Sequence, residues 1–116
     1  MIQMVGEILM IPKPMKNQWF QILLALAERD RHGFGIQRAV LEQTDGHMRL
    51  WPAMLYRSLN TLEGAGLIRQ IPAPRDAPDD ERRNYYTLTR DGRARLAEEV
   101  EMMARWVESS RPERHV

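Results

Sequence analysis

The stretch that decides the fold is MLYRSLNTLEGAGLI, residues 54–68, followed by RRNYYTLTRDGR, residues 82–93. The first part predicts a helix that is ended by glycines and leads into a strand. The second part predicts the returning strand, a helix cap and another helix. A helix that leads into a two-stranded ribbon and then a second helix is the layout of a winged helix-turn-helix. It indicates double-stranded DNA as the partner rather than catalytic chemistry.

Outward from this stretch, apolar residues three and four apart predict the remaining helices. We expect helices over residues 18–28, 34–43 and 90–108, and strands over residues 67–71 and 84–88. A further helix is opened by residues 49–52, with Pro52 in its first turn, and is stopped by Gly64 and Gly66. Asn17 and Thr89 are suitable caps for the first and last helix, and Arg31 to Gly33 should form the turn after the first helix. The expected fold class is mainly α with a small β-hairpin, a winged helix-turn-helix plus a C-terminal dimerisation helix.

The expected division of the chain follows from these elements. Residues 1–17 form an N-terminal extension, 18–89 the winged-helix domain, 90–108 the dimerisation helix and 109–116 a tail. Residues 1–14 either pack on a dimer or extend upstream of a domain that begins near Met15.

Composition excludes several classes of function. A chain of 116 residues fits one domain, and without cysteine it has no disulfide, Cys-ligated zinc or thiol catalysis. No apolar run approaches the roughly 20 residues that span a bilayer, and the start does not resemble a secretory signal. The three histidines lack ligand-like spacing, and Ser58 has no nearby histidine to activate it. We expect a cytoplasmic protein that is not an enzyme, binds no metal or cofactor and does not associate with a membrane.

The distribution of charge is more informative than its sum, which is only +1. Of the 17 basic residues only Lys13 and Lys16 are lysines, and arginine suits bidentate contacts to phosphate and guanine. Genome composition also produces an arginine bias, so the bias alone decides nothing. The acidic run of Glu98, Glu99 and Glu101 is expected on a solvated helix face.

Polar side chains remain on the third helix once its seam of Leu55, Leu59 and Leu62 is set aside. They suit contacts with base edges and phosphates, although a solvated polar face is the alternative for this helix taken alone. Arginines of the wing are expected to meet the phosphate backbone. The candidate DNA-binding residues are Met54, Tyr56, Arg57, Ser58, Asn60, Thr61, Arg75, Arg82 and Arg83.

The order and spacing of these motifs resemble the PadR family of winged-helix transcriptional regulators over about residues 18–108. The resemblance implies a homodimer that represses promoters by binding a two-fold-related operator, and the single last helix is similar to the small PadR subgroup. The alternative is a winged-helix domain of another regulator class or one that binds protein. The matching residues are HGFGI at 32–36, Leu55, Tyr56, Leu59, Leu62, GLI at 66–68, RRNYYTLT at 82–89, Gly92 and Leu96.

Two departures from the family pattern bear on DNA contact. Trp51 stands before Pro52 where the family commonly has a small hydroxyl residue, so the usual oxygen cap is missing. The tip of the wing carries Asp76, Asp79, Asp80 and Glu81, which phosphates would repel.

The last helix predicts the dimer interface, because Leu96, Val100, Met103 and Val107 are spaced four, three and four apart. Met102 and Trp106 form a neighbouring apolar stripe, which packs against the first helix or the N-terminal segment in the simpler interpretation. The alternative is a pocket for a small aromatic effector between the subunits, such as some PadR relatives have. Flexible Met beside flat Trp suits such a ligand, and the candidate lining is Trp19, Met102, Met103 and Trp106.

Overall fold

The computed structural model describes residues 11–77 and 84–112, which form four helices and a three-stranded antiparallel sheet in the order β1-β3-β2. The predicted fold class, a mainly helical winged helix-turn-helix with a C-terminal helix, is confirmed. Within these residues no helix is both long and apolar enough to cross a membrane. The elements are α1 (Asn17–Glu28), β1 (Arg31–His32), α2 (Gly33–Gln43), α3 (Pro52–Gly64), β2 (Ile68–Ile71), β3 (Tyr85–Leu88) and α4 (Arg90–Ser109).

Strand β1 lies where a plain turn was expected, since two residues are too few to show a period in sequence. It pairs with β3 and places His32 opposite Tyr85. The Nδ1 atom of His32 accepts a hydrogen bond from the Gly35 N–H at 3.1 Å and so caps α2. Its ring meets that of Tyr85 edge to face, with centroids 5.3 Å apart. His32 is therefore a buried structural residue.

The core lies between α1, the helix-turn-helix pair α2–α3, the inner face of the sheet and α4. Helix α1 buries Trp19, Phe20, Ile22, Leu23, Ala25 and Leu26, whereas Leu24 is exposed on it. The N-cap of α1 is Lys16 rather than Asn17, and its side chain makes no cap hydrogen bond. The core residues include Phe20, Ile22, Leu23, Leu26, Ile36, Val40, Leu50, Leu55, Leu59, Leu62, Ile68, Tyr86, Leu88 and Leu96.

The start of α4 is held tightly against the start of β2. Thr89 caps α4 as predicted, because its Oγ1 accepts the Gly92 N–H at 3.0 Å. The same hydroxyl donates to the Gly66 carbonyl at 2.7 Å, and the Thr89 N–H donates to the Leu67 carbonyl at 3.1 Å. Gly66 ends the preceding connection with φ at 79°, in the region that favours glycine. The wing and the last helix thus share one joint.

Glu99 contradicts the prediction of a solvated acidic face on α4, because its side chain is fully buried. Its Oε1 accepts the Met15 N–H at 3.0 Å, and its Oε2 lies 3.5 Å from Arg95 Nε. Arg95 Nη2 donates to the carbonyls of Ile11 at 3.1 Å and Pro12 at 2.6 Å. These hydrogen bonds hold residues 11–15 against α4. The sequence pattern of α4 alone does not predict this contact with a distant segment.

Candidate DNA interface

Helix α3 has the polar and apolar faces that its sequence predicts. Pro52 occupies its first turn, where a missing N–H is harmless, and Trp51 precedes it without a side-chain cap bond. The seam of Leu55, Leu59 and Leu62 is buried. The exposed face carries Met54, Tyr56, Arg57 and Asn60, with Thr61 partly exposed beside them.

Ser58 does not belong to that exposed face, although the sequence placed it there as a candidate DNA-binding residue. Only 4% of its surface is exposed, since position 58 lies one turn before Leu62 on the packed side of the helix. The sequence pattern missed this because serine does not read as a core residue. The residue lines a cleft beside α3.

That cleft has a volume of about 270 Å³ and lies between α3 and the start of α1. Met54, Arg57, Ser58 and Thr61 line it from α3. Lys16, Gln18 and Trp19 line it from the other side, and none of them was among the predicted DNA-binding residues. Nothing in the spacing of the sequence relates these three residues to α3, so the sequence held no signal for this side of the cleft.

Tyr56 projects from the opposite flank of α3 towards the start of α2. Its hydroxyl lies so close to Gly33 that a Cβ at that glycine would be 2.5 Å from it. Burial raises the pKa of the neighbouring Tyr86 hydroxyl, and Glu63 and Tyr56 raise it further. Tyr86 is therefore a neutral, buried support below the exposed ring of Tyr56.

An exposed tryptophan and an arginine mark the N-terminal end of α3. The Arg49 guanidinium lies 5.3 Å from the Trp51 ring centroid, which is a cation–π contact. This end of α3 thus has no side-chain cap and exposes a large aromatic surface with a positive charge beside it.

The wing is described only in part. Arg75 and Asp76 follow β2 and are exposed. The predicted contacts Arg82 and Arg83, and the acids at 79–81, lie outside the described residues.

Part of the predicted dimer seam packs in the chain's own core. This corrects the assignment of Leu96 to the dimer interface. Leu96 is buried in the protomer, and Met103 packs against the core from its edge. Val100 and Val107 are 46% and 58% exposed. The part of the seam that is open to a partner is therefore the distal half of α4.

The four residues of the candidate effector pocket are not gathered within one chain. Trp19 lines the cleft beside α3, whereas Met102 lines a second cleft, of about 210 Å³, with Lys13 and Arg105. Trp106 is 51% exposed on α4. Trp106 lines neither of these two clefts.

Comparison with known proteins decides the class of this winged helix. The family described as "Transcriptional regulator PadR-like family" matches residues 22–98. The chain belongs to the PadR-like family. An uncharacterised protein of Lysinibacillus sphaericus is 31% identical over 83 residues, which are 72% of this chain and 74% of that protein.

Solved structures of PadR proteins share the fold of this PadR-like chain. A PadR family transcription regulator from Clostridium difficile R20291 has a TM-score of 0.65 at 22% identity, covering 81% of this chain and 93% of its own. Bacillus subtilis PadR in complex with operator DNA has a TM-score of 0.61 at 18% identity, covering 85% of this chain and 62% of its own. The predicted family is confirmed, and the protein is a transcriptional regulator, not an enzyme.

Proposed function

We propose that this PadR-like regulator is a repressor that binds double-stranded DNA sequence-specifically, with α3 as the recognition helix. The observation that carries the proposal is the exposed face of α3, which presents Arg57 and Asn60 outside a buried leucine seam. Arginine and asparagine make bidentate contacts to guanine and adenine in the major groove. A recognition helix reads bases with its N-terminal half, where Met54 and Arg57 lie.

The proposed regulator acts as a homodimer joined through the distal half of α4. The packed stripe of that helix, Leu96 and Met103, continues at helical spacing into Trp106 and Val107. No described element of the chain covers these two side chains, which are about half exposed. Large apolar groups on one exposed helix face favour a second copy of the same helix. Two α3 helices about 34–36 Å apart would then read a two-fold-related operator.

A small aromatic effector is the proposed signal, bound between the two copies of α4. Met102, Met103 and Trp106 supply flexible and flat apolar surfaces there, which suit such a ligand. Trp19 is no longer part of this proposal, since it lies beside α3.

Selection of bound DNA from a random library tests the proposed function. We expect one enriched two-fold-related motif, with affinity that falls steeply as salt rises because phosphate contacts release counterions. Asn60→Ala should relax the preference at one base pair of each half-site by about 1–3 kcal/mol. Gln43→Ala, an amide that bonds to Gln21 at the far end of α2, is the matched control and should leave the motif unchanged.

The same selection distinguishes the alternatives. Repeating it with flat aromatic compounds should release the DNA if the effector proposal is right. Failure to enrich any motif, with binding that does not vary with salt, would favour a protein-binding winged helix instead. The near-neutral charge and the acidic residues of the wing are the features that fit this alternative.

The dimer is tested by Val107→Glu, which places a charge in the centre of the proposed apolar contact. We expect the variant to sediment as a monomer, because a carboxylate cannot be buried there without a partner. Ala97→Glu adds the same charge on an exposed position of the same helix and should stay dimeric. A Val107→Glu protein that sediments like the wild type would show that the interface lies elsewhere.

A further inference from the structure

The cleft between α1 and α3 combines several features that attract an anion. We propose that it binds a phosphate group, and that the source is the backbone of the operator DNA. This proposal rests on the proposed function, because it places a second DNA contact on α1, outside the recognition helix. The features are the N-terminus of α1, two cationic side chains and the hydroxyl of a largely buried serine.

The N-terminus of α1 contributes backbone donors. The Lys16 carbonyl accepts hydrogen bonds from the N–H groups of Trp19 and Phe20 at 3.0 and 3.1 Å. The N–H groups of Asn17 and Gln18 come before the first helical bond, so no carbonyl one turn back can accept from them. No side chain caps this end, and its first turn contains no acid. A 12-residue helix thus begins beside the cleft with free donors and a partial positive charge at its end.

Two cationic residues, Lys16 and Arg57, line the cleft. Lys16 lies over the Trp19 ring, with Nζ 5.0 Å from the centroid, and pairs with none of the described carboxylates. Arg57 lines the wall formed by α3. None of the described residues that line the cleft is acidic, so no carboxylate opposes an incoming phosphate.

Ser58 supplies a hydroxyl to the same cleft. Its side chain lines the cleft although only 4% of the residue's surface is exposed. Its hydroxyl forms no hydrogen bond with any residue of the described ranges. Its oxygen is not fully enclosed and meets the cleft, where a ligand or water can satisfy it. A phosphate oxygen in the cleft would accept from it.

The position of the cleft favours DNA over a free anion as the source of the phosphate. Its α3 wall includes Met54 and Arg57, which also belong to the exposed face proposed to enter the major groove. The strands of a duplex border that groove with phosphates, and helices beside a recognition helix commonly cross the backbone.

The chain's two lysines provide a matched pair of variants. With an operator from the library selection, Lys16→Ala should weaken binding about tenfold for all sequences alike and reduce the salt slope by about one. Lys13→Ala removes the same charge three residues away, where Lys13 pairs with Glu98 at 2.7 Å, and should bind as the wild type does. Ser58→Ala should also lower affinity, yet leave Tm unchanged or higher, since alanine favours helix and removes an unpaired hydroxyl.

Chemical changes in the DNA identify the source of the phosphate. Single operator phosphates are replaced by neutral methylphosphonate, and one position in each half-site should weaken wild-type binding but not binding by Lys16→Ala. In a second arm, inorganic phosphate is titrated while the amide NMR signals of Asn17 and Gln18 are followed. Shifts there that Lys16→Ala abolishes, without any coupled DNA position, would keep the phosphate site but overturn DNA as its source.

The outcomes separate this proposal from the proposed function. Normal operator binding with neither coupling nor phosphate-dependent shifts would overturn the phosphate site and leave the function standing. Failure to obtain an operator would overturn the function, while the titration with inorganic phosphate still tests the cleft.

Discussion

Glu99→Ala is expected to lower the free energy of unfolding by about 3–5 kcal/mol, the range found when one partner of a buried ion pair is removed. Glu99 is fully buried and faces Arg95, so the substitution leaves a largely buried guanidinium without its counter-charge. It also removes the acceptor of the buried Met15 N–H. Urea denaturation at neutral pH, followed by circular dichroism, measures the loss.

Glu98→Ala is the matched control on the neighbouring residue. Glu98 pairs with Lys13 at 2.7 Å, but both side chains are more than half exposed, and such pairs contribute little. The hydrogen bond from Lys13 lowers the pKa of Glu98, so the pair persists at neutral pH and is lost only as the pH falls through that lowered pKa. Equal losses in the two variants would show that burial of Glu99 does not decide the result. Glu99→Gln should lie between them, because its amide oxygen can still accept from Met15.

The contrast between Glu98 and Glu99 shows what a sequence pattern can predict. The leucine seam of α3 and the cap at Thr89 were predicted correctly, since spacing and cap chemistry are local properties. Glu99 and Ser58 were assigned to exposed faces because they are polar. Ser58 lies on the packed side of α3, one turn before Leu62, whereas the burial of Glu99 depends on contact with a distant segment. For Glu99 that segment is 84 residues away in sequence.

The candidate site was likewise predictable only where local spacing along one helix reveals it. The face of α3 was predictable, because subtracting its leucines leaves Tyr56, Arg57 and Asn60. The opposite wall of the cleft was not, because Lys16 and Trp19 precede the recognition helix by more than 30 residues and have no periodic relation to it. Strand β1 was missed for a different reason, since its two residues form a strand only through pairing with β3.

The contacts at the start and in the middle of α4 would set the separation of the two recognition helices in the proposed dimer. Arg95 and Glu99 fasten its middle to residues 11–15, and Thr89 and Gly92 fasten its start to the wing. The distal half, with Trp106 and Val107, is left for a partner. In the proposed dimer, a change at either joint would therefore alter the separation of the two α3 helices.

Gly92→Ala tests the joint at the start of α4 and is expected to destabilise the protein by about 3 kcal/mol, at the upper end of typical overpacking effects. A Cβ at Gly92 would overlap the Leu67 carbonyl oxygen and lie 2.8 Å from Leu88 Cδ1. The oxygen belongs to backbone that also accepts the Thr89 N–H, so the start of α4 must move away from β2. Thermal unfolding should show a clearly lowered Tm.

Gly64→Ala is the control, because it is also a helical glycine but a Cβ there meets nothing within 4 Å. Alanine should be neutral or stabilising at that position, since it restricts the unfolded chain more than glycine does. A similar Tm for the two variants would show that the joint tolerates the added methyl group. If the joint opens as expected, α4 tilts against the winged helix. Gly92→Ala should then bind operators with altered half-site spacing better than the selected one, and wild-type protein should show the reverse order.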